Sequence, residues 1–205
     1  MNKNIRLLTQ PDLPYVYDIC LRTGNNGDDA HHHFRDPFLI GQYYAAPYLF
    51  YEPDVCFAVI DGQSAIRRPS GYIVGTSDST SYYKWLHTCW LPRLQQIYPS
   101  DLPKPSEAEK WILRLVNGTD DIPTNKILSD YPAHLHIDLL PCMQGKGYGK
   151  LLIQNFITAL KEKSCPGVHL GVSKQNVNAI GFYKRSGFLI LEEDSESCLL
   201  GIRLI

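Results

Sequence analysis

The stretch HLHIDLLPCMQGKGYGK, residues 134–150, decides the fold. Its opening residues alternate: Leu135, Ile137 and Leu139 take one face and His134, His136 and Asp138 the other, which reads as a strand. Glycines at 145, 147 and 149 then let the backbone turn tightly and approach a ligand, and an amphipathic helix follows from Gly147 to about Lys163. A helix starting on such a turn points unpaired N–H groups outward with a partial positive charge, the makings of a phosphate cradle. Lys146 and Lys150 add cations there, as ligand partners or as solvated side chains. The spacing is not GxGxxG and the turn has no GK[ST] ending, which disfavours a dinucleotide or ATP. Taken alone, the turn is equally a tight strand-to-helix connection without a ligand.

Downstream, VHLGV reads as a strand, Val177–Arg185 as a helix, and two closing strands start near Phe188 and Cys198. Upstream, a short strand at Ile5–Thr9 precedes a helix from about Pro11 to Arg22, and TGNNGDDA (23–30) is a loop. The run DPFLIGQYYAAPYLF predicts a short helix ending before Pro47. Val55–Ile60 and Gly71–Gly75 form a hairpin. From about Asp78 to Pro132, two helix-like stretches flank PSDLPKPS, and Ser106 with Glu109 fits a capping box. This block is expected to be a helical insertion packed on the main fold. The order of elements predicts one α/β (α+β) domain over residues 1–205, a mixed sheet flanked by helices with parallel pairing across the crossover.

The chain of 205 residues is 44% apolar and 20% charged, enough for a core without staples. Twenty Lys and Arg against 21 Asp and Glu leave no bulk charge, so neither nucleic acid nor a membrane surface is an expected partner. No signal-peptide core or long apolar run stands in the sequence, and a cytoplasmic protein is expected. Six cysteines are scattered singly and read as reduced packing residues. His31-His32-His33 cannot all point to one ion from a regular element, so no metal is expected.

A second motif lies beyond the turn, in Asn176-Val177-Asn178-Ala179-Ile180-Gly181-Phe182-Tyr183-Lys184-Arg185-Ser186-Gly187-Phe188. Together with Gln144, Gly147 and Gly149, its Asn-x-x-Ala-x-x-x-Tyr pattern and Gly-Phe stop resemble the acyl-coenzyme-A signature of the GNAT superfamily of N-acetyltransferases, over about His134 to Phe188. A resemblance over most of the chain is to the acetyltransferase-like (HAT) domain of O-GlcNAcases and its free-standing bacterial relatives. It is carried by ICLRTGNNGDDA (19–30), APYL (46–49), VCFAVID (55–61), SEAEK (106–110) and HLHIDLLP (134–141). A glycoside hydrolase domain does not fit this length, so the resemblance is not extended to hydrolysis.

The resemblance implies acetyl-CoA as co-substrate, without a metal. Leu139 and Leu140 would meet the pantetheine arm, while Gln144, Gly145, Lys146, Gly147, Tyr148, Gly149 and Lys150 would hold the pyrophosphate. Asn176 would bind the pantetheine amide or cap its helix, or both. Tyr183 would sit by the thioester sulfur as donor to the leaving thiolate, against the alternative of a core aromatic. Asp138 is the candidate general base or a structural aspartate, and His136 a second base, a proton relay or a half-buried strand histidine. The acceptor is an unspecified amine, a small molecule or a protein lysine, expected between TGNNGDDA, APYL and the insertion. Asp28 and Asp29 suit a cationic acceptor or are simply solvated. Some members of the resembled group lack the glycine turn and are pseudo-acetyltransferases, so a catalytically inactive acetyl-CoA-binding or interaction module is the alternative.

Overall fold

Short apolar runs bounded by turn residues form seven strands among the described residues of the computed structural model, which are 4–62, 65–118 and 125–204. In chain order the elements are β1 (Ile5–Leu7), α1 (Leu13–Thr23), α2 (Leu39–Tyr44), α3 (Ala46–Tyr51), β2 (Phe57–Ile60) and β3 (Pro69–Thr76). Next come α4 (Ser79–Trp85), α5 (Leu91–Ile97), α6 (Glu107–Val116) and α7 (Asn125–Asp130). The remainder is β4 (Ala133–Leu139), α8 (Tyr148–Glu162), β5 (Gly167–Ser173), α9 (Val177–Arg185), β6 (Leu189–Glu193) and β7 (Ser197–Arg203).

The strands lie in one mixed sheet of order β1-β2-β3-β4-β5-β7-β6, as the alternation of strands and helices predicts. β3 and β4 run antiparallel over Gly71–Thr76, with Tyr72 opposite Asp138 and Gly75 opposite Leu135. β4 and β5 are parallel but pair only at Ala133 with Val168 and His134 with His169. β5 instead follows β7 along its whole length. From Leu135 onward β4 therefore has a neighbour on its β3 side and none towards β5.

The period of two sorts the faces. Gly75 and Leu135 turn to α8: a Cβ on Gly75 would stand 2.7 Å from Cζ of the fully buried Phe156, so glycine is what lets the helix seat this closely. Burial of a Phe of this size contributes about 2–3 kcal/mol. Tyr72, His136 and Asp138 point to the opposite face, where α1, α2 and α3 pack. Between β3 and β4 the described residues form α4 to α7, and α6 begins with the capping box: Ser106 Oγ accepts from Glu109 N–H at 3.0 Å, and Glu109 accepts from Ser106 N–H at 2.8 Å. Glu109 also takes the Arg35 N–H at 2.8 Å, which ties α6 to the segment before α2.

Two local expectations change. The helix before Pro47 does end early, at Tyr44, but Pro47 then lies in the first turn of α3, where its missing N–H is harmless. The break is at Ala45, with φ −135° and ψ −57°. The stretch YYKWLHTCWLPRLQQIY is likewise two helices joined by a π-helical turn at Leu86–Trp90, with a proline in the first turn of α5. Among the described residues no helix is long and apolar enough to cross a membrane.

Candidate active site

The parting of β4 from β5 opens a cleft of about 1970 Å³ that runs from the glycine turn past Asp138 to Tyr44 and Trp111. At its first end, Gly145 and Gly147 have φ of +70° and +81°, a left-handed backbone that L side chains rarely adopt. No atom lies within 4 Å of where a Cβ would stand at either, so both face open space. Gly147 is the N-cap of α8 and has no side chain to satisfy the amides of Tyr148, Gly149 and Lys150, which have no carbonyl one turn earlier. Three N–H groups thus stand at the positive end of a 15-residue helix. Gly149 serves differently: its Cβ would come 3.0 Å from the Phe182 ring, so it allows α8 and α9 to meet.

The side chains around this turn divide. Gln144 Nε2 donates to the Leu139 carbonyl at 2.9 Å, folding the turn back along β4. Lys146 and Lys150 are exposed beside it. The Tyr148 hydroxyl accepts from Asn4 Nδ2 at 2.8 Å, so only the backbone of Tyr148 serves the turn. Leu140 departs from expectation: its N–H donates to Ser70 at 3.0 Å and its carbonyl accepts from Met143 N–H at 2.8 Å. Since Leu140 bonds towards β3, alternation turns the backbone groups of Leu139 and Ile137 into the gap instead. Asn176 Oδ1 accepts from Ala179 N–H at 3.0 Å, the cap of α9, and its Nδ2 lies near Gly27 of the 23–30 loop.

Asp138 sits midway along the cleft. Its Oδ2 accepts from the Tyr72 hydroxyl at 2.5 Å. Burial raises its carboxyl above the ordinary range, opposed by its hydrogen bonds with Tyr72 and Thr23. Tyr183, buried on α9 across the gap, is close enough that the Asp138 charge joins burial in pushing its phenol far up. Tyr183 therefore stays protonated at any working pH. Three of the expected side chains, Asp138, His136 and Tyr183, line one cleft with Gln144 and Asn176.

The two strand histidines differ. His134 is fully engaged: Ser79 Oγ donates to the Pro132 carbonyl at 2.5 Å, so it accepts from His134 Nδ1 at 2.7 Å, and the Tyr48 hydroxyl donates to Nε2 at 2.8 Å. Burial holds this imidazole well below its ordinary pKa, as a neutral Nδ1–H tautomer. His136 lines the cleft, and burial with His169 nearby lowers it to about 4. That value makes it a weak base. The Tyr82 ring stacks on Tyr48, centroids 4.4 Å apart, and its hydroxyl is buried without a hydrogen-bond partner within normal distance and angle among the described residues.

Sequence reasoning missed Tyr72 and His169, and it gave no individual role to Thr23, Tyr48 and Ser79, which lie in the TGNNGDDA, APYL and insertion segments expected to frame the acceptor. Of the two missed residues, His169 carried a signal, as a polar residue inside an apolar strand. His31 caps its own turn through Asp29, Nδ1 to Oδ1 at 2.6 Å, and no group of three metal-ligating side chains gathers among the described residues.

The model of the acetyltransferase (GNAT) family matches residues 126–188. The crystal structure of SsHAT is similar at 34% identity, with 98% of each chain covered and a TM-score of 0.89. Protein O-GlcNAcase of Rattus norvegicus is 26% identical over 185 residues, 89% of this chain and 20% of the relative. Peptidyl-lysine N-acetyltransferase YjaB of Salmonella typhimurium is 27% identical over 108 residues, 53% of this chain and 67% of the relative. The chain spans about a fifth of the length of the O-GlcNAcase it matches. With that similarity over 98% of the SsHAT chain and a family match that covers both β4 and the glycine turn, the chain belongs to the acetyltransferase (GNAT) family.

Proposed function

We propose that the protein transfers an acetyl group from acetyl-CoA to the nitrogen of an amine, with residues 1–205 acting as one unit and the 78–132 block walling the acceptor side. The observation that carries this is the juxtaposition in one cleft of an open helix N-terminus at Gly147 with Asp138 and Tyr183. The residues fit the coenzyme: three free amides, two exposed lysines and open space at Gly145 and Gly147 suit a pyrophosphate, and the edge of β4 at Ile137 and the Leu139 N–H, with no strand towards β5, suits an amide-bearing arm. Leu140 is left out of that set. Bound acetyl-CoA supplies an activated thioester.

The chain's own residues do the rest. Asp138 takes the proton from the attacking amine, and its raised pKa brings it nearer to that task than an ordinary carboxylate. Tyr72 holds the carboxylate in place. Tyr183 keeps a phenol proton available to the departing thiolate. The nitrogen–carbon bond forms as the carbon–sulfur bond breaks, and the amine proton ends, through these groups, on the thiol or in solvent. His136 stays neutral above about pH 4 and shapes the wall rather than carrying charge.

Thiol release from acetyl-CoA with a panel of amines tests the reading. Asp138→Asn should lower transfer about 10²–10⁴-fold and Tyr183→Phe by less, both with coenzyme affinity nearly unchanged. Release of thiol by neither wild type nor variants, with coenzyme bound, would leave the inactive module as the answer.

A further inference from the structure

Past His136 the cleft changes character. Helices α2 to α6 contribute Tyr44, Tyr48, Tyr83 and Trp111 to its wall, with Ile112 and Leu115 beside them. Tyr44 meets the His136 ring edge-on, centroids 5.2 Å apart, and Trp111 Nε1 donates to the Tyr44 hydroxyl at 3.2 Å. One aromatic surface therefore runs from the rim to a residue two before Asp138. Trp111 is 47% exposed although Ile112, Leu113 and Val116 of the same helix are buried, so its indole faces the cleft mouth rather than the core.

The charges at this end are sparse. Among the residues that α2 to α6 contribute to the cleft, the one carboxylate is Glu107, which is exposed and ion-paired with Lys110. The Arg114 guanidinium already stands 5.3 Å from the Trp111 ring centroid, so the attraction of that ring for a cation is used within the protein. A second ammonium brought here meets no unpaired acid from α2 to α6. A flat apolar body meets ring edges and faces.

Building on the transferase reading above, we infer that the acceptor end takes a primary amine carried by a short chain on an aromatic ring, the ring against Tyr44 and Trp111 and the nitrogen at Asp138. The distinction is from polyamines and lysyl peptides, which carry further charge or a polar backbone to the same wall.

Two measurements test it together. Thiol release is followed with tyramine, spermidine and a lysine-containing peptide, and tyramine is titrated into coenzyme-free protein while tryptophan fluorescence is read. The expected result is kcat/KM for tyramine about tenfold or more above the other amines. Trp111→Ala should raise KM for tyramine at least about fivefold with little change in kcat, and Trp111→Phe should abolish the fluorescence change. Spermidine or the peptide used as well as tyramine would overturn the inference, as would tyramine leaving Trp111 fluorescence unchanged. Tyramine binding at Trp111 with no thiol release from any amine would sustain the aromatic-amine site and sink the transferase reading alone.

Discussion

The hydroxyl of Tyr72 on β3 lies 2.5 Å from Oδ2 of Asp138, its direct cross-strand partner on β4. This pairing steadies a carboxylate that burial otherwise pushes towards its neutral form. A hydrogen bond to a charged group contributes about 1.5–3 kcal/mol. Tyr72→Phe removes a donor that favours the charged form, so the carboxyl pKa rises further. The acid limb of the pH–rate profile should move up by about 1–2 pH units. An unmoved limb would mean that Asp138 is not the group that must lose its proton.

Glycines two residues apart should fail in different ways. Gly147→Ala forces an L side chain into φ of +81° at a cost of about 1–2 kcal/mol, and its methyl enters space that is otherwise open. Coenzyme binding should weaken more than melting temperature falls. Gly149→Ala instead presses on the Phe182 ring at 3.0 Å, so stability should fall first. Melting curves and titrations on both variants separate the cases, and equal behaviour would contradict the division.

Acid should unfold this protein through its imidazoles. Burial lowers His134, His136 and His169 below their ordinary value, His136 to about 4. Below about pH 6.5 the unfolded chain gains protons that the folded chain refuses. Stability present above that pH is therefore lost as pH falls through the folded values. Each imidazole that stays neutral adds up to about 1.4 kcal/mol per pH unit to the slope. Denaturant unfolding between pH 7 and 4 should show it, and His136→Asn should flatten it. A flat wild-type profile would refute the assignment.

Much of this architecture was legible because the deciding signals are local. The alternation of His134 to Leu139, the capping box at Ser106 and Glu109, and the Asn176 cap are each written within a few residues. The α9 helix runs from Val177 to Arg185, as its pattern predicts. What escaped depends on pairing across the chain. Nothing near Tyr72 announces that a strand 66 residues later will place Asp138 opposite it. The commitment of Leu140 to Ser70 depends on the same register. Pro47 misled because a proline that ends one helix also suits the first turn of the next.

The network around His134 gives a structural control. Tyr48→Phe removes the donor to Nε2 of an imidazole only 4% exposed, and an unsatisfied buried acceptor costs about 1–3 kcal/mol. Stability should drop by that amount in denaturant titration while acetyl-CoA affinity stays put. Loss of coenzyme affinity instead would show that the histidine end and the glycine turn are coupled.

Calorimetric titration of coenzyme-stripped protein with acetyl-CoA, beside Gly147→Trp, reaches the central claim most directly. Wild type should bind in the micromolar range, about −8 kcal/mol, and the variant should give no heat. Wild-type protein that binds no acetyl-CoA, or a variant that binds it equally well, would contradict the placement of the coenzyme at the parting of β4 and β5.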